Sequence, residues 1–305
     1  MIPKSEVKEM NLYNGWIILN KPKGISSNDA VQKVRKFLGK ANKVGHAGTL
    51  DPLAEGILPV AVGEATKTVQ YLMDARKEYE FDITWGEERA TGDAEGDITA
   101  QGGFIPEKSS VEEILSKFIG QIMQMPPIYS ALKINGQPAY KLARQGVEVE
   151  LAPRKVDIYT LILLESSDYT SSFRVECGKG TYVRSLAVDI ARALGTYGYV
   201  SSLKRTRVGN FLMKDAIMLA NLINLVHNDE INLHLFPVTY GLGDILAIEI
   251  TAEQAKALRN GLSIFLDTHS QISEAVVQIL HDGILQALVC LEKGLCKPIR
   301  VFNLN

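Results

Sequence analysis

Residues 44–56 read Val44-Gly45-His46-Ala47-Gly48-Thr49-Leu50-Asp51-Pro52-Leu53-Ala54-Glu55-Gly56, and the rest of the chain is organised around them. Gly45, Gly48 and Gly56 allow backbone conformations that side chains forbid, and Pro52 fixes the chain directly after Asp51. Such a loop is built to hold something. Its groups with useful acid, base or nucleophile chemistry are His46 and Asp51, because Glu55 stands beyond the proline with no obvious partner. By residue type alone the segment is equally a surface turn, since glycine, proline and aspartate are the ordinary residues of turns.

At 305 residues, 46% hydrophobic and 22% charged, the chain has the composition of a globular protein able to bury a sizeable core, as one large domain with an appendage or as two domains. A net charge of −2 argues against a protein that coats nucleic acid non-specifically. RNA contact would have to come from local basic clusters. One is Lys33, Arg35, Lys36, Lys40 and Lys43, before the loop; another is Lys204, Arg205 and Arg207. Each by itself reads first as a solvated face. Cys177, Cys290 and Cys296 are odd in number and scattered, which suggests neither a disulfide framework nor a zinc site. Residues 1–15 lack the apolar core of a signal peptide, and no apolar run approaches the ~18 residues of a membrane span. The expectation is a cytoplasmic, metal-free protein.

Trp16-Ile17-Ile18-Leu19 reads as a short buried strand ended by a turn at residues 20–24, where Lys21 either touches the active loop or serves as a turn lysine, the latter favoured by the sequence alone. Ser26 or Ser27 caps a helix with Ala30, Val31, Val34, Phe37 and Leu38 at helical spacing, stopped by Gly39. A buried strand is predicted over 56–62 and a helix over 64–73 with Ala65, Val69, Leu72 and Met73 inward. Tyr79, Phe81, Ile83 and Trp85 alternate onto one strand face, read as core. Residues 91–97 hold acidic groups but not the ligand spacing of a calcium loop, and read as a structural loop. A helix is expected over 111–119. Residues 123–153 break the regular pattern with Met125-Pro126-Pro127, an Asn135-Gly136 turn and a helical 139–144. Lys133, Lys141 and Arg144 there suit either phosphate contact or a solvated helix face.

Strands are expected over 156–164 and 173–177. Gly178-Lys179-Gly180 then turns into a helix that buries Val183, Leu186, Ala187, Ile190 and Leu194. Arg184 lies at its first turn, where the macrodipole favours anions, so something else should hold the guanidinium, and a buried carboxylate is the natural partner. A strand over 199–208 carries Leu203, and a helix is predicted over 216–226. From about residue 245 the pattern changes to Ile248-Glu249-Ile250, a helix over 252–259, and short strands to Val301.

The string Gly45, His46, Gly48, Leu50, Asp51, Pro52, Leu53, Ala54 and Gly56 resembles the catalytic loop of the TruB family, the tRNA pseudouridine-55 synthases. Ala47 stands where many relatives have threonine. The resemblance continues in Leu19 to Gly24, Gly63 to Lys67, Tyr129 to Lys133 and Gly178 to Arg184, and thins beyond about residue 210. It implies an α+β pseudouridine synthase fold, with a central mixed or antiparallel sheet flanked by helices. It also implies a catalytic domain over 1–245 with a thumb insertion at 123–153, and a small PUA-like β-rich domain over 246–305 that either grips RNA or serves stability. The implied partner is the T-arm stem-loop of tRNA, bound by a monomer.

The same resemblance implies that Asp51 is the catalytic carboxylate, that Arg184 pairs with it, and that Tyr79 stacks on the target uracil. His46 would fill the space left by the flipped uridine, with Tyr182 and Leu203 completing the pocket and Lys21 a further candidate for substrate contact. Uridine isomerisation breaks the N1 to C1′ bond and rejoins the base through C5 with no net redox change, so no metal or cofactor is required. Asp51 must be ionised whether it attacks C1′, attacks C6 or assists a glycal-type intermediate, and a neighbouring Arg184 favours that form. Competing expectations are the catalytic subunit of a guide-RNA-directed complex, a non-catalytic RNA-binding or tRNA-folding protein, and an aspartate-dependent hydrolase.

Overall fold

The computed structural model describes residues 12–304 except 135, 148, 229, 244, 268, 269, 272 and 273, together with all side chains in that range but Arg144. Its centre is a ten-stranded sheet in the order Ile217–Met218, Gly15–Lys21, Glu55–Val62, Gly198–Val208, Lys77–Trp85, Thr170–Cys177, Arg154–Ser166, Gly120–Gln124. Val44–His46 pairs with Glu55–Val62, and Phe211–Leu212 with Gly198–Val208. Pairing is antiparallel except between Gly15–Lys21 and Ile217–Met218 and between Glu55–Val62 and Gly198–Val208. The sheet is therefore mixed.

Both faces of its centre are buried, which is why Trp16 to Leu19 is continuously apolar rather than alternating. Ile17 and Leu19 join the core under the helices Ser27–Leu38, Val183–Ala193 and Leu219–His227, whereas Trp16 and Ile18 face Ala65, Leu72, Phe211 and Val238. The helix Ser27–Leu38 opens with a capping box between Ser26 and Asp29 and ends at Gly39, where φ is 87°.

Two helices differ from expectation for local reasons. Residues 64–73 split into a 3₁₀ segment, Gly63–Thr68, and a short α-helix, Val69–Asp74, that leaves Met73 exposed rather than inward. The hydroxyls of Thr66 and Thr68 donate to the carbonyls of Gly63 and Ala65, three residues back, and so favour the tighter turn. The helix expected from residue 216 starts at Leu219, because Ile217 and Met218 pair with Leu19 and Asn20 at the sheet edge.

Beyond residue 245, Ala247–Glu249, Ala275–His281, Ile284–Glu292, Leu295–Val301 and Ile264–Phe265 form a second, five-stranded sheet beside the helix Ala252–Arg259. Leu285, Leu288 and Phe302 from this part share a buried cluster with Trp16 and Ile57. Polar ties reinforce the junction: Lys67 Nζ donates to the Val301 carbonyl at 2.9 Å, and the Asn303 amide donates to Glu64 at 2.8 Å. Among the described residues, no helix is long and apolar enough to cross a membrane.

Candidate active site

Asp51 stands in the connection between Val44–His46 and Glu55–Val62, and this loop is held from several sides. Ser27 Oγ, at the start of the first helix, accepts from the Leu50 amide and donates to the Leu50 carbonyl, both at 2.8 Å. The Gly24 amide donates to the Pro52 carbonyl at 2.7 Å, and the Ala47 amide to the Pro59 carbonyl at 3.0 Å. Gly56 has φ 103°, and a Cβ there would stand 2.3 Å from the Arg205 carbonyl oxygen, so only glycine lets the two strands meet.

Arg184, at the start of the helix Val183–Ala193, meets Asp51: its Nη2 lies 2.8 Å from Asp51 Oδ2. The arginine is buried, unlike a surface side chain of a helix start, and its other contacts explain how. Nη1 lies 3.3 Å from Asp93 Oδ2 and donates to the Thr91 carbonyl at 3.0 Å, and Nη2 also donates to the Tyr129 carbonyl at 3.0 Å. The guanidinium is thus shared between two carboxylates, one of them a third exposed (Asp51, 33%) and the other sealed (Asp93, 3%). The 91–97 loop, read from sequence as purely structural, supplies the second. Thr91 Oγ1 and the Glu95 amide donate to Asp93 Oδ1 at 2.6 and 3.0 Å, which turns Oδ2 toward the arginine.

Tyr79, Leu203 and Arg205 share one neighbourhood through strand register, with Arg205 opposite Tyr79 and Leu203 opposite Phe81. Leu203 is buried, and Tyr79 packs against the same cluster. Burial raises the pKa of the Tyr79 hydroxyl, with Arg205 opposing, so the phenol stays protonated at neutral pH. Tyr182 forms the N-cap of Val183–Ala193, and its backbone is clasped by buried Gln124, which accepts from the Tyr182 amide at 2.8 Å and donates to its carbonyl at 3.1 Å. His46, on its edge strand, has its pKa lowered by burial first and by Arg205 second, and is therefore neutral near pH 7. Its Nδ1 is buried with no hydrogen-bond partner among the described residues.

Lys21 is fully buried, and its Nζ donates to the carbonyls of Pro22 and Ile25, each at 2.9 Å. It stabilises the turn as the sequence favoured, yet close enough to feel the Asp51 charge; burial brings its pKa down to about 8 against that attraction.

The second basic cluster is not a solvated face. Arg205 is 1% exposed and donates to the backbone of the active loop, while Arg207 pairs with Glu176 at 2.9 Å. Lys33, Arg35, Lys36, Lys40 and Lys43 are exposed, as are Lys133 and Lys141, whereas the Arg144 side chain and Asn135 lie outside the described residues. Sequence reading missed Asp93, Gln124 and the inward turn of Arg205. Strand parity carried a signal for the last, since Arg205 lies two residues after buried Leu203.

A carboxylate on a glycine-rich loop, paired with a buried arginine, with a tyrosine and a leucine from adjacent strands packed in the same core as the loop's Leu50 and Leu53, sits on a fold of the pseudouridine synthase type. The chain aligns with TM-score 0.73 and 25% identity to the protein in "Structure of H/ACA RNP bound to a substrate RNA containing 2′-deoxyuridine", covering 95% of this chain and 85% of that one. A Cbf5-Nop10-Gar1 complex gives 0.73 and 27%, over 97% and 86%. The model of the TruB family pseudouridylate synthase N-terminal domain matches residues 35–183, and that of the tRNA pseudouridylate synthase B C-terminal domain matches 184–242. The tRNA pseudouridine synthase B of Caulobacter sp. (strain K31) is 44% identical over 98% of this chain and 99% of its own length, and that of Anaplasma phagocytophilum 42% over 96% and 100%. The chain belongs to the TruB family.

Proposed function

We propose that the chain is a tRNA pseudouridine synthase that isomerises the T-loop uridine at position 55, acting alone on the T-arm. The observation that carries this is the Asp51–Arg184 pair, buried on the arginine side and partly open on the carboxylate side, in a motif matched residue by residue to the family. Asp51 acts at the sugar or the base. Arg184 fixes its orientation.

A uridine inside a folded loop must be extruded before Asp51 can reach it, at a cost of a few kcal/mol. Stacking on Tyr79 returns roughly 1–3 kcal/mol, and Leu203 and Tyr182 wall the pocket. Neutral His46 suits the gap in the RNA stack. The segment 123–153 is inferred to be the insertion that closes over the stem-loop, with Lys133 and Lys141 on phosphates, and the division at 245/246 to separate a β-rich unit from the catalytic part. A monomer working in the cytoplasm, with no metal, fits this chemistry.

The resemblance to H/ACA-complex proteins keeps a guide-directed subunit as the second reading. Higher identity to standalone synthases, and an intact 123–153 segment, favour self-guided action. Incubating the purified chain with a bare T-arm hairpin decides between them: conversion without guide RNA supports the first reading, and conversion only with guide RNA and partners overturns it.

A further inference from the structure

Arg205 is a buried cation without a carboxylate. Its side chain, 1% exposed, makes no ion pair among the described residues; its donors go to backbone oxygens, and it lies close enough to the Tyr79 hydroxyl to oppose the rise of that group's pKa. Nε donates to the Ile57 carbonyl at 2.7 Å, Nη1 to Thr49 at 3.2 Å and Nη2 to Gly48 at 3.0 Å. Two of these carbonyls lie two and three residues before Asp51, and the third lies just after the loop, at the start of the strand that follows it. Its own strand contacts both of the others that matter: Arg205 is in register with Gly56 on one side and with Tyr79 on the other. A fork of fixed geometry spanning the two ends of one loop restrains that loop far more than an ammonium on a flexible stem would.

We propose that Arg205 is a positioning residue for the isomerisation, its guanidinium pinning the backbone on both sides of Asp51 and holding that loop in register with the strand that carries Tyr79. This rests on the assignment of Asp51 and Tyr79 to the reaction. Arg205, 1% exposed, is sealed from the surface that an RNA would meet. It acts through where the carboxylate stands relative to the base, and a displacement on the order of 1 Å there costs about 100-fold in rate.

The test compares wild type, Arg205→Lys and Arg205→Met on a T-arm hairpin, measuring hairpin affinity, the single-turnover rate at saturating RNA, thermal stability, and amide hydrogen exchange across residues 44–56. Arg205→Lys keeps the buried charge but cannot reach all three carbonyls. The expected result is a folded lysine variant with hairpin affinity within about threefold of wild type, a single-turnover rate lower by about 100-fold, and faster exchange in the loop. Arg205→Met should fall at least as far. A lysine variant that turns over saturating RNA at the wild-type rate overturns the inference. So does one whose affinity falls in parallel with its rate, which would make Arg205 an RNA contact, or one that cannot fold, which would make it a support of the sheet. Wild type that leaves the hairpin unconverted refutes the functional assignment itself, and the inference with it.

Discussion

Asp93→Asn tests whether the second carboxylate on Arg184 matters to the first. Asp93 is sealed from solvent, with Oδ2 3.3 Å from Arg184 Nη1 and Oδ1 accepting from Thr91 Oγ1 and the Glu95 amide. Asparagine keeps an oxygen for those two loop bonds and places its NH₂ opposite the guanidinium, so that donor faces donor. A hydrogen bond to a charged group contributes about 1.5–3 kcal/mol. If that orientation is needed only as the transition state forms, the single-turnover rate drops by about 10- to 150-fold. Hairpin affinity should stay within about threefold, because Asp93 is buried and contributes nothing to an RNA-facing surface. The assay is single-turnover conversion at saturating hairpin, with affinity measured separately by anisotropy. An unchanged rate would refute the reasoning, leaving Asp51 and the carbonyls of Thr91 and Tyr129 sufficient to orient the arginine.

Gly56→Ala should destabilise the protein by about 2–5 kcal/mol in urea unfolding, since the added methyl meets the Arg205 backbone at a positive φ; a loss under 1 kcal/mol, on the scale of an ordinary Gly→Ala change, would show that the strands can part. Gln124→Leu removes both hydrogen bonds to the Tyr182 backbone and strands a partly buried amide and carbonyl, so a loss of about 1–3 kcal/mol is expected by the same measurement. Burial lowers Lys21 and Lys77 from 10.5 to about 8, so above that pH the unfolded chain binds more protons and stability rises with pH. Cys177, pushed up from 9.0 to about 11, works in the opposite sense above pH 9. Between pH 8 and 9 the two lysines together contribute a gain of about 2 kcal/mol at most, halved in Lys21→Met. Urea midpoints that fall over this interval would contradict the burial of the two ammonium groups.

Much of the large mixed sheet and its helices was legible because the signals are local. The run Trp16 to Leu19, the capped helix after Ser26, and the alternation from Tyr79 to Trp85 each specify an element within a few residues. What stayed hidden depends on distant partners. Nothing in residues 91–97 distinguishes Asp93 from its acidic neighbours until the sheet brings Arg184 beside it. Lys204, Arg205 and Arg207 look alike in sequence, but the strand turns Arg205 inward and leaves Arg207 to Glu176. The split of residues 63–74 into two helical types rests on threonine hydroxyls competing for backbone carbonyls, a local effect that apolar spacing does not record.

The central claim, that Asp51 carries the isomerisation, is tested most directly by single-turnover conversion of a uridine-containing T-arm hairpin by wild type and Asp51→Asn, mapped with a pseudouridine-selective chemical probe. The account predicts conversion at a single loop uridine by wild type, and none by Asp51→Asn despite hairpin affinity within about threefold. Conversion by Asp51→Asn at a comparable rate, or hairpin binding by wild type with no conversion, would contradict it.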